Sequence, residues 1–233
     1  MEFGFSAGGE DFGFLHLLNR MVVVGCSRHP EKEAHAVPKN MKDHGFQVAC
    51  VNPNADEIFG QKTFKSVEDV PKEMFEIVVV FRPPDEIPAI AKKLLESGRV
   101  PKIFWMQEGL RSAEARRIME SHGARVIEDR CISKAFSALS ASGKKYKQIL
   151  EASKRYADAK NFILNPDPPR LGEVIAGLAA NQEKYGYRFC PCRTVTGDLK
   201  KDKDKICPCK WHLDEIKRDG HCLCRLFFDP KRI

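Results

Sequence analysis

The chain has 233 residues, 42% of them hydrophobic and 30% charged, with a formal net charge of +7. That composition belongs to an ordinary globular protein with room for one large domain or two small ones, and excludes disordered and fibrous classes. No apolar run reaches the roughly 18 residues a bilayer span needs. The apolar stretch 12–18 follows Glu2, Glu10 and Asp11, not a basic segment, so neither a membrane partner nor a secretory signal is expected and the chain reads as cytoplasmic. In the clearest charged run, Lys200 to Lys205, aspartates dilute the lysines; no nucleic-acid partner is required, and a solvated loop is the plain reading.

The first half alternates strand and helix. Residues 21–27 form a short apolar run ending near Gly25, as a buried parallel strand should. A helical stretch from Glu33 to His44 follows, closed by Gly45. Residues 46–51, 76–81, 102–106 and 124–128 read as further strands, with helices over 85–97 and 112–121 and exits at Gly98 and Gly123. This order predicts a doubly wound, parallel-sheet α/β domain over residues 21–136 that binds ligands at the carboxyl ends of its strands.

A dinucleotide loop would need glycines at three positions after the first strand, so that backbone can approach a pyrophosphate. Here Gly25-Cys26-Ser27-Arg28-His29-Pro30 keeps only the first, and the second strand runs into Asn52 and Pro53 instead of ending in an acid for a ribose. NAD is thereby disfavoured. Arg28, His29, Lys32, His35 and Lys39 suit a ligand with an added phosphate. The segments VVVGCSRHPEK, VNPN, FRPPDEIP, WMQEGLRSAEA and EDRC, in this order, resemble the CoA-binding Rossmann-like domain family. The resemblance implies coenzyme A as a ligand, lined by Gly25, Ser27, Arg28, Asn52, Pro53, Phe81, Arg82 and Pro83, with Trp105 to Gln107 as a far wall.

Residues 137–147 are small, polar and then basic, and read as a linker; residues 1–20 form an N-terminal extension with no assigned role. Beyond the linker, 146–162 and 168–186 are amphipathic helical stretches, the second opened by prolines and closed by Gly186. A small, mainly helical domain over 148–233 is expected.

That domain carries six of the nine cysteines as three close pairs: Cys190 and Cys192, Cys207 and Cys209, Cys222 and Cys224. In a reducing compartment such a cluster points to metal or redox chemistry before structural disulfides. Four thiolates complete one zinc site or one iron–sulfur cubane, and two remain. Spacing alone leaves two readings open. Either four cysteines hold a cluster beside a redox-active disulfide, or six thiols, with His212 and His221 as further candidates, hold zinc in a non-catalytic adaptor.

The segments FCPCR, ICPC and GHCLCRLF, preceded by VIAGLAANQEKYGYRFCPCR, closely resemble the catalytic beta chain of ferredoxin–thioredoxin reductase. This implies a 4Fe-4S cluster on Cys190, Cys207, Cys209 and Cys222, and an active-site disulfide between Cys192 and Cys224, Cys192 being the accessible thiol. It also implies ferredoxin as electron donor and a thioredoxin-like substrate. The attached CoA-binding domain adds a low-molecular-weight disulfide as a candidate substrate. Where the family carries a histidine thought to supply protons, this chain has Leu223, and the adjacent His221 is the nearest substitute.

Overall fold

The computed structural model describes residues 12–140 and 143–233. The chain forms two units, one of residues 18–137 and one combining 12–17 with 138–233.

The first unit is built on a parallel sheet of β1 (Arg20–Val24), β2 (Gln47–Val51), β5 (Ile77–Val80), β6 (Ile103–Met106) and β7 (Arg125–Ile127). The strands lie in the order β2-β1-β5-β6-β7. β5 and β6 are buried along their whole length, which is why their sequences are unbroken apolar runs and not alternations. Helices α1 (Glu33–Asp43), α2 (Ile87–Glu96) and α3 (Ala113–Glu120) connect them. Ile87, Ala91 and Leu94 of α2 pack with Ala115 and Met119 of α3 against Val22, Val78, Val80 and Phe104 of the sheet. A short hairpin of β3 (Glu57–Ile58) and β4 (Gln61–Lys62), too small to show a period in sequence, lies between β2 and β5 in the chain. Because the chain leaves β1 for β2 on one side and returns to β5 on the other, the strand order reverses beside β1. Ligand crevices of open α/β sheets form at such a point.

In the second unit, α5 (Gly143–Lys160) and α6 (Pro168–Tyr185) pack together through Tyr146, Ile149, Leu150, Leu171, Val174, Ile175 and Leu178. The cysteine loops follow, carrying α7 (Leu199–Asp202) and α8 (His212–Asp219). A two-stranded ribbon of β8 (Ile163–Leu164) and β9 (Phe227–Phe228) joins the end of α5 to the last loop.

Two segments take a form the sequence did not show. The segment read as a linker is helical wherever it is described: α4 (Ile132–Ser140) and then α5 run through it, and 141–142 lie outside the described residues. Serine, alanine and lysine carry no apolar period here, but buried Tyr146 and Gly143 supply the packing that periodicity did not reveal. The N-terminal extension also divides. Residues 12–17 form a turn, Gly13–His16, that belongs to the second unit, while Arg20 already opens β1.

The close approach of that turn to α6 depends on two glycines. A Cβ on Gly172 would lie 2.4 Å from the Phe14 backbone nitrogen, and one on Gly13 would lie 2.9 Å from the Gly172 carbonyl oxygen. Alanine at an ordinary helical glycine stabilises by about 1 kcal/mol. At this position the contact reverses the sign: Gly172→Ala is expected to destabilise the second unit by roughly 1–3 kcal/mol. Urea unfolding followed by helical circular dichroism measures it, and a stabilised variant would show that the turn does not pack there.

Candidate functional site

Each cysteine pair sits at a tight backbone turn. The amide of Arg193 donates to the Cys190 carbonyl at 3.1 Å, that of His212 to Cys209 at 3.1 Å, and that of Arg225 to Cys222 at 2.8 Å. A short antiparallel bridge sets the first two pairs side by side: Cys190 N–H donates to the Lys205 carbonyl and Cys207 N–H to the Arg188 carbonyl, both at 2.8 Å. The third pair is tied back to β9, where Cys222 N–H donates to Phe227 O at 3.0 Å and Phe227 N–H approaches the Cys222 sulfur at 3.4 Å.

Side chains outside the pairs fix these turns. Asn181 on α6 donates its amide to Phe189 O at 2.8 Å, and Asn165, just after β8, donates to Arg225 O at 2.8 Å. Asp202 organises the loop between pairs one and two. Its buried carboxylate accepts from Thr196 N, Gly197 N and the Thr196 hydroxyl at 2.8, 2.8 and 2.9 Å, and pairs with Lys205 at 2.6 Å. The charged run 200–205 is therefore not simply a solvated loop: one of its aspartates is fully buried.

The result is one pocket lined by all six sulfurs together with Pro208, His212, Glu215 and Phe227. The Sγ atoms of Cys190, Cys192 and Cys224 lie within 4.8 Å of one another. Those of Cys222 and Cys224 are 3.6 Å apart. Cys192 is the partly exposed member of the six, and the other five are buried. Hydrogen bonds from Cys190 first and Cys224 second hold the Cys192 thiol below its ordinary range, with the Arg193 charge adding to the effect. The Cys190 thiol is pushed up, mainly by its hydrogen bond to Cys192.

His212 and His221 differ in placement. His212 lines the pocket, but both ring nitrogens are engaged, Nδ1 with the Cys209 carbonyl and Nε2 with the Tyr156 hydroxyl at 2.6 Å. His221 is not among the lining residues. Its Nδ1 lies 3.0 Å from the Cys222 carbonyl, and its ring is tilted against that of Phe228 with the centroids 5.2 Å apart. Sequence reasoning missed Glu215, whose buried carboxylate accepts from Leu223 N–H at 2.8 Å and pairs with Arg193. Nothing in its local sequence, an acid in the first turn of a helix, marks it apart from Asp214.

A second site lies in the first unit. A cleft of about 650 Å³ opens at the carboxyl ends of β1, β2 and β5. Gly25, Ser27, Arg28, Asn52, Pro53, Phe81 and Arg82 line it, whereas Pro83 does not. Gly25 holds φ at +88°, and a Cβ there would come within 2.8 Å of Arg82 Cδ and 3.1 Å of Phe81 O. Asn52 donates to the Cys26 carbonyl at 2.8 Å and so fixes the loop after β1. Arg28, Lys32, Lys65, Arg82 and Lys93 line the cleft against a single acid, Glu86. His35 and Lys39 are occupied elsewhere, with the Ser27 carbonyl and Asp43. The far wall is corrected. Trp105 is fully buried, its indole N–H donating to Arg130 O at 2.6 Å, and the Trp105 to Gln107 stretch does not line the cleft. Cys26 in that loop and Cys50 on β2, two of the three cysteines outside the clustered pairs, are joined as a disulfide.

A family model of the CoA binding domain matches residues 19–136, half of the chain. The chain belongs to the CoA-binding domain family. Residues 140–233 match the model of the ferredoxin thioredoxin reductase catalytic beta chain, so the protein is a fusion of the two domains anticipated in its sequence. The uncharacterized Bacillus subtilis protein YneT is 37% identical over 116 residues, which cover 50% of this chain and 84% of that protein. An ADP-forming acetate–CoA ligase of Archaeoglobus fulgidus is 30% identical over 117 residues, 46% of this chain but only 17% of the ligase. Among solved structures, a Thermus thermophilus protein is 30% identical with a TM-score of 0.51, covering 54% of this chain and 93% of that one. A hypothetical protein from Pyrococcus horikoshii OT3 is 28% identical with a TM-score of 0.52, covering 60% of this chain and 99% of that one. Both support the parallel-sheet architecture of the CoA-binding domain. Among the described residues no helix is long and apolar enough to cross a membrane.

Asp202 makes the loop of the reductase-like domain sensitive to acid. Its partners, Lys205 foremost, hold its carboxyl down at about 2, against 3.8 for a free aspartate. A group held down when folded adds stability that is complete above pH 4 and is lost as pH falls toward 2. Asp202→Asn is therefore expected to lower the unfolding midpoint at pH 7, with the deficit from wild type shrinking steadily between pH 4 and pH 2. A deficit independent of pH over that window would show that the charge is not what holds the loop.

Proposed function

We propose that the protein is a ferredoxin-dependent disulfide reductase with a CoA-binding domain attached. Cys190, Cys207, Cys209 and Cys222 would hold a 4Fe-4S cluster, and Cys192 and Cys224 would form the redox-active disulfide beside it. The observation that carries this reading is that six sulfurs line one pocket while only Cys192 is partly exposed.

The donor set suits the cluster in kind. Thiolates are its ligands, and the Arg193 Nε is buried without a hydrogen-bond acceptor among the described residues, as a group facing sulfide acceptors would be. With both histidine ring nitrogens of His212 engaged, a mixed Cys/His zinc site has no free imidazole in the pocket. When bound, the cluster supplies one-electron transfer, which matches a ferredoxin donor to the two-electron reduction of a disulfide.

The chain's own chemistry is thiol–disulfide exchange. In the reduced pair, the Cys192 thiolate attacks one sulfur of the substrate disulfide; a mixed disulfide forms, and the departing substrate thiolate takes a proton from water. Cys224, within 4.8 Å, then attacks the Cys192 sulfur. That step restores the Cys192–Cys224 bond and releases the second substrate thiol. Two electrons from ferredoxin reopen the pair. A thioredoxin-like protein or a low-molecular-weight disulfide fits the open side of Cys192. In the first unit, the cationic cleft and the close backbone at Gly25 support coenzyme A, whose phosphates would meet Arg28 and Arg82.

Anaerobically purified protein should be brown and contain iron and acid-labile sulfide. Single serine substitutions of Cys190, Cys207, Cys209 or Cys222 should lose iron, whereas Cys192→Ser should keep it and lose disulfide reduction. A colourless protein holding zinc would refute the assignment. In calorimetry with coenzyme A, the Arg28→Ala/Arg82→Ala double variant is expected to bind at least about tenfold more weakly, since each charged hydrogen bond is worth roughly 1.5–3 kcal/mol. Unchanged affinity would move the ligand out of this cleft.

A further inference from the structure

The arrangement around Glu215 reaches further than loop packing. Its side chain projects from α8 between the two loops that carry the exchanging cysteines. One carboxylate oxygen accepts the backbone N–H of Leu223, the residue immediately before Cys224, at 2.8 Å. The other pairs with the guanidinium of Arg193, the residue immediately after Cys192. The Arg193 guanidinium is itself pinned, lying 4.8 Å from the centre of the Trp211 ring at the start of the same helix. Glu215 is buried and lines the sulfur pocket.

We infer that Glu215 is a positioning residue that sets the redox equilibrium of the Cys192–Cys224 pair by strapping the Cys192 and Cys224 loops to one carboxylate. The inference rests on the proposed assignment of those two cysteines as the exchanging pair. Its physical basis is effective concentration. A disulfide between two loops is favoured over two thiols to the extent that the fold already holds the sulfurs together, because closing the bond then costs little conformational freedom. The cysteines lie thirty-two positions apart in sequence and come from different turns, so this proximity has to be imposed by contacts outside the pairs. The bridge through Glu215 is the side-chain link that joins residues adjacent to both. Charge-assisted hydrogen bonds of this kind, shielded from water, are the ones strong enough to act as such a link.

The anchor is the backbone N–H of residue 223, which any non-proline residue at that position would supply.

The test is a glutathione redox titration of the anaerobically purified, iron-containing protein. Thiols are trapped by alkylation at each ratio of reduced to oxidised glutathione, and the Cys192–Cys224 link is quantified by peptide mass spectrometry. In Glu215→Ala, which loses both partners, the disulfide should be reduced at a glutathione ratio at least about tenfold less reducing than in wild type, about the factor expected for one charged hydrogen bond. Glu215→Gln retains an acceptor for Leu223 N–H and loses the Arg193 pair, so it should shift in the same direction by less. Iron content and unfolding midpoint serve as the folding control. If the alanine variant does not fold, the glutamine variant alone decides. A folded, iron-replete Glu215→Gln or Glu215→Ala protein with the wild-type equilibrium, or one shifted toward a more stable disulfide, would overturn the inference. A wild-type protein in which no Cys192–Cys224 link appears at any ratio would overturn the cysteine assignment itself, which is a different outcome.

Discussion

The second unit depends on aiming three cysteine turns at one buried point. Thiols pack softly and donate weakly, so they do not converge through their own attraction. Convergence comes from outside. Asn181 on α6 holds the turn of pair one, Asn165 holds that of pair three, and Glu215 on α8 reaches between them. A short backbone bridge sets pair two against pair one. Each of these anchors uses a charged or amide side chain to satisfy a loop backbone group that would otherwise be buried and unpaired. The helices are therefore the frame, and the chemistry sits on loops that the frame over-determines. This is how a mobile type of backbone can present sulfurs in fixed register.

The first unit meets its requirement in a different way. Its cleft follows from topology: reversal of strand order beside β1 leaves a crevice, and the left-handed φ of Gly25 lets the chain turn against Phe81 and Arg82 without a side chain in the way. Three cations of the cleft already have acidic partners, Lys65 with Asp56, Arg82 with Glu86 and Lys93 with Glu68. Arg28, Lys32, Lys65, Arg82 and Lys93 face a space with one acid, Glu86, which already pairs with Arg82 through both carboxylate oxygens. A phosphate ester would compete with Glu86 for that guanidinium.

What could be read beforehand follows from which signals are local. The sheet strands were legible because their buried parts are apolar runs, unbroken in β5 and β6, and the helices of both units because of their caps and period. The three cysteine pairs were legible because spacing is a property of sequence. Contacts made at long range were not. Trp105 looked like a ligand wall but is core, held through Arg130 O, and nothing about a tryptophan at a strand end reveals which way it faces. Residues 137–147 looked like a linker because the burial of Tyr146 depends on partners distant in sequence, including His16. Residues 12–17 had no account for the same reason, since their place is set by Gly172 on α6. Glu215 was missed because its two partners lie eight and twenty-two positions away. His221 was singled out for its place beside Cys222, and it is not among the residues that line the pocket.

The central claim is a division of six sulfurs into four that hold a metal cluster and two that exchange. It is tested most directly by mapping the thiols in protein isolated and oxidised without oxygen, alkylating before and after the iron is removed by a chelator. The account predicts one disulfide in the reductase-like domain, between Cys192 and Cys224, with Cys190, Cys207, Cys209 and Cys222 resisting alkylation until the iron leaves. A disulfide involving any of those four, or Cys192 and Cys224 protected together with them, would contradict it.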